Sequence, residues 1–222
     1  MRQNILERDR QQQAMLAGVA HEIRNPLGGI ELFAGLLSSE IQETDLKNYA
    51  QKILKEVQNL KTIIQNFLDY ARPIPANRIE CQVQLVWSEA VSLLSGELNS
   101  IQLKLDQTEN EIAALVDPQH LKQVFLNLLK NSIDVMPDGG TIFVNIISQK
   151  DGVKILYSDT GPGIPVELAD KIFQPFFTTR EKGTGLGLAI IKNLIAENGG
   201  SIRYVPSGEA GALFEIKLQQ MR

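Results

Sequence analysis

His21 stands in the run Ala20-His21-Glu22-Ile23-Arg24-Asn25-Pro26-Leu27, and imidazole offers an uncharged nitrogen lone pair near pH 7. The surrounding apolar residues recur at helical spacing. His21 is two residues from Ile23, about 200° around a helix, so it projects away from the apolar seam toward water. Asn25, four residues on, lies over the same face, where its amide can orient a reacting group or a water. Glu22 can supply a carboxylate to the imidazole, although adjacent helical residues point apart and spacing alone does not make that contact. Pro26 removes a donor to the carbonyl of Glu22 and clashes with it, at a cost of about 3 kcal/mol in a helix interior. A helix weakened one turn from an exposed histidine suggests a bend that the chemistry uses.

Three further clusters suit a phosphorylated nucleotide. Asn127, Asn131 and Asp134 fall on one side of a predicted helix, and two amides with a carboxylate suit Mg²⁺, which takes oxygen ligands and shares them with phosphate and water. Asp159 in Asp159-Thr160-Gly161-Pro162-Gly163 can accept a hydrogen bond from an exocyclic amine of the kind adenine carries. Gly161 and Gly163 let a flat ring lie against the backbone. Gly183-Thr184-Gly185-Leu186-Gly187-Leu188 opens a helix, whose free N–H groups and dipole end favour phosphate. Before it, the polar stretch Thr178-Thr179-Arg180-Glu181-Lys182 follows Phe176-Phe177, the composition of a lid. Thr179, Arg180 and Lys182 are its candidate contacts to an anionic ligand.

These groups need scaffolding. Apolar positions run Leu16, Val19, Ile23, Leu27, Ile30, Ala34, Leu37, Ile41, and then Leu46, Tyr49, Ile53, Val57, Leu60, Ile64, Phe67, Ala71. The two series have the same intervals, which predicts an antiparallel helical hairpin turning at Gln42–Asp45. One hairpin has too little thickness to bury both stripes, so a dimeric four-helix bundle is expected. Arg72-Pro73-Ile74-Pro75 stops the second helix. Beyond it, strands are expected at 81–85, 101–105, 113–116, 141–148 and 153–158 and in two closing runs. Helices are expected over about 86–99, from the Asp117-Pro118 cap to about Met136, and to Asn198. Leu121, Val124, Phe125, Leu128, Leu129 and Ile133 are assigned to the buried face of the second of these helices, and His120 to the surface. The overall expectation is an α+β chain, in which the helical hairpin (1–72) and a hinge (73–78) precede an α/β sandwich with helices on one face (79–222).

Composition narrows the classes. A net charge of −4 over 222 residues draws the chain neither to nucleic acid nor to anionic lipid. The single cysteine, Cys81, excludes an internal disulfide and a multi-cysteine metal site. No apolar run reaches the roughly 18 residues of a membrane span, and the polar first 15 residues are unlike a signal peptide. A cytoplasmic chain without membrane contact is expected, although a sensor preceding it could be membrane-bound. There is no GxxxxGK[ST] loop, so a nucleotide site must be built differently.

Taken together and in order, HEIRNPL, NLLKNSIDVMPDGG, DTGPGIP, FQPFFTTR and GTGLGLAI resemble the H, N, G1, F and G2 boxes of sensor histidine kinases, most closely the nitrogen-regulation-like group. The resemblance spans essentially the whole chain. It implies a dimerisation and phosphotransfer hairpin followed by a Bergerat-type ATP-binding domain, with ATP and Mg²⁺ as cofactors and a response-regulator receiver domain as partner. It implies that His21 is the phosphoacceptor and Glu22 its acidic partner, with Asn25 orienting water when a regulator is dephosphorylated. Asn131 would be the Mg²⁺ ligand, Asp159 the adenine anchor and Gly183 to Gly187 the triphosphate cradle. Two positions depart from the usual wording. Arg180 replaces a lysine, keeping the charge, and Ser132 stands where alanine is more usual, with little effect expected. The competing expectations are a clamp-like ATP hydrolase of the same superfamily, which needs no exposed histidine, and a non-catalytic dimeric scaffold.

Overall fold

The computed structural model describes residues 27–39, 44–71, 75–107, 111–180, 183–206 and 210–219. His21, Glu22, Asn25, Pro26 and Lys182 lie outside the described residues. The chain forms two compact units, Met1–Ile74 and Pro75–Arg222.

In the first unit, residues 27–39 (α1) are helical, and α2 spans Thr44–Ala71. Leu27, Val57 and Ile64 form a common core with Phe67 and Leu68, and Lys61 pairs with Glu31, so the two helices run antiparallel. The doubled apolar series resolves into two faces. Leu27, Ala34, Val57 and Ile64 are buried, as is Ala50, whereas Ile30, Leu37, Leu46, Tyr49, Ile53 and Leu60 are exposed. The buried set is spaced by sevens, which is the narrow seam of a two-helix contact. The exposed members, with Leu32, Phe33 and Leu36, are apolar residues that the hairpin itself does not cover.

The second unit begins with β1 (Ile79–Gln82), α3 (Val83–Leu93), β2 (Ile101–Gln107), β3 (Ala113–Val116) and α4 (Pro118–Val135). It continues through β4 (Gly140–Gln149), β5 (Gly152–Asp159), a short 3₁₀ turn at Val166–Leu168, α5 (Gly187–Glu197), β6 (Ser201–Tyr204) and β7 (Leu213–Gln219). Five strands form one sheet in the order β2-β4-β5-β7-β6, and β1 pairs with β3 in a separate ribbon. Val144, Ile146, Ile155, Tyr157 and Ile216 of the large sheet are buried, as are Phe125, Leu128 and Leu129 of α4 and Ile190 and Ile191 of α5. Trp87 of α3 meets Phe125 edge-on at 5.3 Å and Tyr157 at 6.3 Å, joining helix layer to sheet. The other sheet face carries Lys104 over Phe143 and the Arg203–Glu215 pair, which fits helices on one face only.

Three local expectations need correction. The alternation of CQVQL over 81–85 suggested one strand, but only Cys81 and Gln82 belong to β1. Val83 begins α3, because Val83, Val86, Trp87 and Ala90 are all buried, a helical spacing that the short run concealed. Accordingly α3 ends at Leu93 rather than near 99. The β2–β4 pair is parallel, with β3 and α4 supplying the crossover it needs, and β4 pairs antiparallel with β5. On α4 the buried face continues through Ser132 rather than Ile133. Finally, His120 is buried. Asn198 Oδ1 accepts from Asp117 N at 2.7 Å, so the Asn198 amide nitrogen faces Leu194 O at 2.7 Å and His120 Nδ1 at 3.2 Å. A partner 78 residues away holds the ring inside.

The ends of the helices are set locally. Asp117 Oδ1 accepts from Gln119 N at 2.9 Å and His120 N at 3.2 Å, capping α4 ahead of Pro118. Helix α5 closes on Gly199 at φ 71°, with Gly199 N donating to Ala196 O and Gly200 N to Ile195 O. That paired 5→2 and 6→1 pattern stops a helix on a left-handed glycine.

Candidate nucleotide site

Helix α4 is the common rail of the site. A Cβ added at Gly187, the first residue of α5, would sit 3.6 Å from Asn127 Oδ1 and 3.7 Å from both amide atoms of Asn131. The two amides therefore face the α5 N-terminus, where Leu186 supplies no side-chain cap to the free N–H groups. Asn127 Nδ2 also donates to Gln123 O at 3.0 Å. On the neighbouring side of α4, Ser132 reaches the end of β5, and Val135 Cγ2 lies where a Cβ on Gly161 would approach to 3.0 Å.

Asp159 is buried at the end of β5. Its Oδ1 accepts from Gly161 N at 3.0 Å and Ala212 N at 3.2 Å, and its Oδ2 accepts from Ser132 Oγ at 2.8 Å. Tyr157 Oη donates to the same Ser132 hydroxyl at 2.9 Å. Burial pushes the Tyr157 phenol well above its usual range, with the Asp159 charge adding to this and the Ser132 bond opposing it. The phenol therefore stays a donor. Gly163 adopts φ 75°, and the turn it makes is closed by Gly211, whose added Cβ would fall 1.8 Å from Asp159 O.

The segment before α5 folds back on itself. Gly185 adopts φ 66°, and a Cβ there would meet the Phe176–Phe177 backbone at 2.5 Å, so only glycine fits. Thr178 Oγ1 accepts from Arg180 N at 3.1 Å, Thr184 Oγ1 accepts from Leu186 N at 3.3 Å, and Thr179 is exposed. Leu186 is buried and Leu188 half-buried. Gly183 holds the turn with its N–H on Arg180 O. The Arg180 guanidinium lies on α4, with Nη2 donating to Asn131 Oδ1 at 2.7 Å and Nη1 to Asp134 Oδ2 at 2.8 Å. Asp134 is 63% exposed, so this pair is screened and contributes no more than about 1 kcal/mol.

The donor chemistry fits the group the sequence implies. Asn131 Oδ1 and Asp134 Oδ2 are hard oxygens that already share one cationic group. Among the described residues no cluster of three or more His, Cys, Asp or Glu could hold a metal. A cation at this site would thus take one or two protein oxygens and fill its shell with phosphate and water, which is how Mg²⁺ binds.

The structure brings together Asn127, Asn131, Asp134, Arg180 and Gly187 along one side of α4, and Asp159, Gly161 and Gly163 beyond its C-terminal turns. Ser132, Tyr157, Gly211 and Ala212 were missed. A tyrosine two residues before Asp159 shares its strand face, so it enters the core and needs a hydroxyl partner. Ser132 is a hydroxyl on the otherwise apolar stripe near the C-terminal end of α4, and those two facts together could have paired them.

The fold and site place the second unit in a recognised class: residues 116–222 match the family model described as histidine kinase-, DNA gyrase B-, and HSP90-like ATPase. Residues 11–74, which include His21, match the His Kinase A (phospho-acceptor) domain. The chain belongs to the sensor histidine kinases. Sporulation kinase E of Bacillus subtilis is 37% identical over 207 residues, 92% of this chain and 28% of that protein. The catalytic domain of the histidine kinase ThkA is 30% identical over 65% of this chain and 96% of that one, with a TM-score of 0.61. The complex of ThkA with the response regulator protein TrrA matches 99% of this chain and 66% of that chain at 29% identity and a TM-score of 0.72. The chain spans about a third of the length of the first curated relatives it matches. Among the described residues no helix is long and apolar enough to cross a membrane.

Proposed function

We propose that this chain is an ATP-dependent protein histidine kinase that phosphorylates His21 and passes the phosphoryl group to an aspartate of a response-regulator receiver domain. The observation that carries this reading is the gathering, along α4, of a buried acceptor for an exocyclic amine (Asp159), amide oxygens (Asn127, Asn131) and an uncapped helix N-terminus at Gly187. Asp159 accepts the adenine amine, Gly161 and Gly163 admit the ring, and Gly183 to Gly187 receive the phosphates. Asn131, with Asp134 beside it, holds Mg²⁺, which when bound neutralises charge on the phosphate oxygens. Arg180 and Lys182 serve the phosphates once Arg180 leaves α4.

In the transfer, a His21 ring nitrogen uses its lone pair to attack the γ-phosphorus, the bond to the bridging oxygen breaks, and ADP leaves. Glu22 favours the tautomer that leaves the attacking nitrogen bare and takes up the positive charge that develops. The transition state of such transfers is loose, so the chain contributes chiefly position and charge. Asn25 orients water when the regulator is dephosphorylated. The uncovered apolar face of the hairpin supports a homodimer, and the ThkA complex supports a receiver-domain partner. A cytoplasmic location, with 1–72 as phosphotransfer domain, 73–78 as hinge and 79–222 as ATP-binding domain, completes the reading.

The test uses γ-³²P-ATP with Mg²⁺ on the wild-type chain and on His21→Ala. Acid-labile, base-stable label that is absent from the variant is expected. Label that survives in the variant overturns His21 as the acceptor, and steady phosphate release from both proteins overturns the kinase in favour of the clamp ATPase.

A further inference from the structure

We infer that Ser132 is a positioning residue for base recognition: the chain Tyr157 Oη to Ser132 Oγ to Asp159 Oδ2 fixes the one acceptor position that Asp159 leaves open, and so sets the preference for a 6-aminopurine. The inference rests on the reading of Asp159 as the adenine acceptor. It reverses the expectation that serine at this position has little effect.

The argument is a count of donors and acceptors. An ionised carboxylate accepts at about four lone-pair positions, two per oxygen. Among the described residues, Gly161 N and Ala212 N occupy both positions on Oδ1, and Ser132 occupies one on Oδ2. One position on Oδ2 remains. The direction of the chain is also fixed. A carboxylate only accepts, so the Ser132 hydroxyl donates to it, and the tyrosine must then donate to the serine. Tyr157 and Ser132 are fully enclosed, so neither hydroxyl can turn to water for another partner. The three donors on Asp159 come from α4, from the turn after β5 and from the residue before β7. That arrangement locks the plane of the carboxylate before any ligand arrives, and a locked acceptor discriminates better than one that can swing to meet a poor donor. The tyrosine also explains why alanine would not serve here, since it would leave the phenol as a buried donor without an acceptor.

A merely structural role and a positioning role separate in a double-variant cycle. Dissociation constants of the full chain are measured for ATP and for purine riboside 5′-triphosphate, which lacks the 6-amino group, alongside thermal melts. The wild type is expected to prefer ATP by at least about tenfold, the worth of one hydrogen bond to a charged acceptor. Ser132→Ala should shrink that preference about three- to tenfold and lower the melting temperature by about 2–6 °C. Tyr157→Phe, which leaves the serine donor in place, should shrink it less. The double variant removes the stranded phenol, so its melting temperature should recover toward wild type while the preference stays low. It also supplies the readout should Ser132→Ala fail to fold. An unchanged preference in Ser132→Ala, or a double variant that recovers both quantities, overturns the positioning role while leaving Asp159 as the acceptor. A wild type that binds both nucleotides equally overturns the Asp159 reading, and this inference with it.

Discussion

The two units of this chain treat their apolar residues in opposite ways. Among the described residues of the hairpin, ten large apolar side chains are exposed, from Ile30 to Ile63. The second unit, with more than three times as many described residues, exposes seven, scattered from Ile79 to Phe176. Large apolar side chains left uncovered in this number mark an interaction surface, whereas the second unit closes around its own core. The comparison separates stability that depends on protein concentration from stability that does not.

The largest expected effect lies on the exposed face. Ile53→Asp places a charge on the surface proposed to pair two hairpins, and dimer affinity should fall at least about 100-fold, read by analytical ultracentrifugation. A wild type that sediments as a monomer at every concentration, or a variant that dimerises as well as the wild type, would break the comparison.

Next in size, Leu128→Ala empties a fully buried position on α4 and should cost about 2–5 kcal/mol. Because the second unit closes on itself, that loss in its urea transition should be the same at dilute and concentrated protein. A loss that shrinks on concentration would mean that this unit, too, is completed by a partner.

The smallest effect sharpens the comparison inside the second unit. Burial pushes the Asp117 carboxyl up, but the backbone N–H groups of Asn77, His120 and Gln119 hold it below the usual carboxylate range. A carboxyl lowered in the folded state contributes stability that is fully present above its unfolded value of about 4 and is lost as pH falls below it. Asp117→Asn keeps a capping residue and should lose less stability than the wild type between pH 5 and pH 3, by about 1 kcal/mol or less. Equal losses in the two proteins would clear Asp117 of any part in the acid response.

What could be read from the residues alone was what local chemistry dictates. The Asp117-Pro118 cap, the glycine turn after β5 and the position of α5 follow from dihedral preferences and hydrogen-bond supply within a few residues, and they stand where the spacing put them. The errors have a different origin. His120 entered the core because Asn198 offers it a partner from the far end of α5. Ser132 is bonded inside the core because Tyr157 reaches it from β5. The run 81–85 alternates as a strand should, yet Trp87 and Ala90 draw it into helix from Val83 onward. The doubled apolar series was correctly apolar, but spacing does not say which members meet inside one hairpin and which face outward. Except in the run 81–85, the deciding contact joins residues distant in the chain.

The bond from Asn77 N to Asp117 Oδ2, 2.8 Å long, lies just outside the β1–β3 ribbon, whose outermost paired residues are Ile79 and Val116. The ribbon and this one carboxylate together form a neck at the base of the stretch that carries α3 and β2, a stretch held a second time where β2 pairs with β4. Topologically that stretch is a closed ring. The end-to-end constraint is already met at the neck, and the entropy of closing a loop grows only as the logarithm of its length. Residues added at the exposed turn after α3, around Gly96 and Asn99, would therefore lengthen the ring at a cost of tenths of a kcal/mol. A cut there would release two ends that remain tied at a common base, so the stretch would be opened without being set adrift.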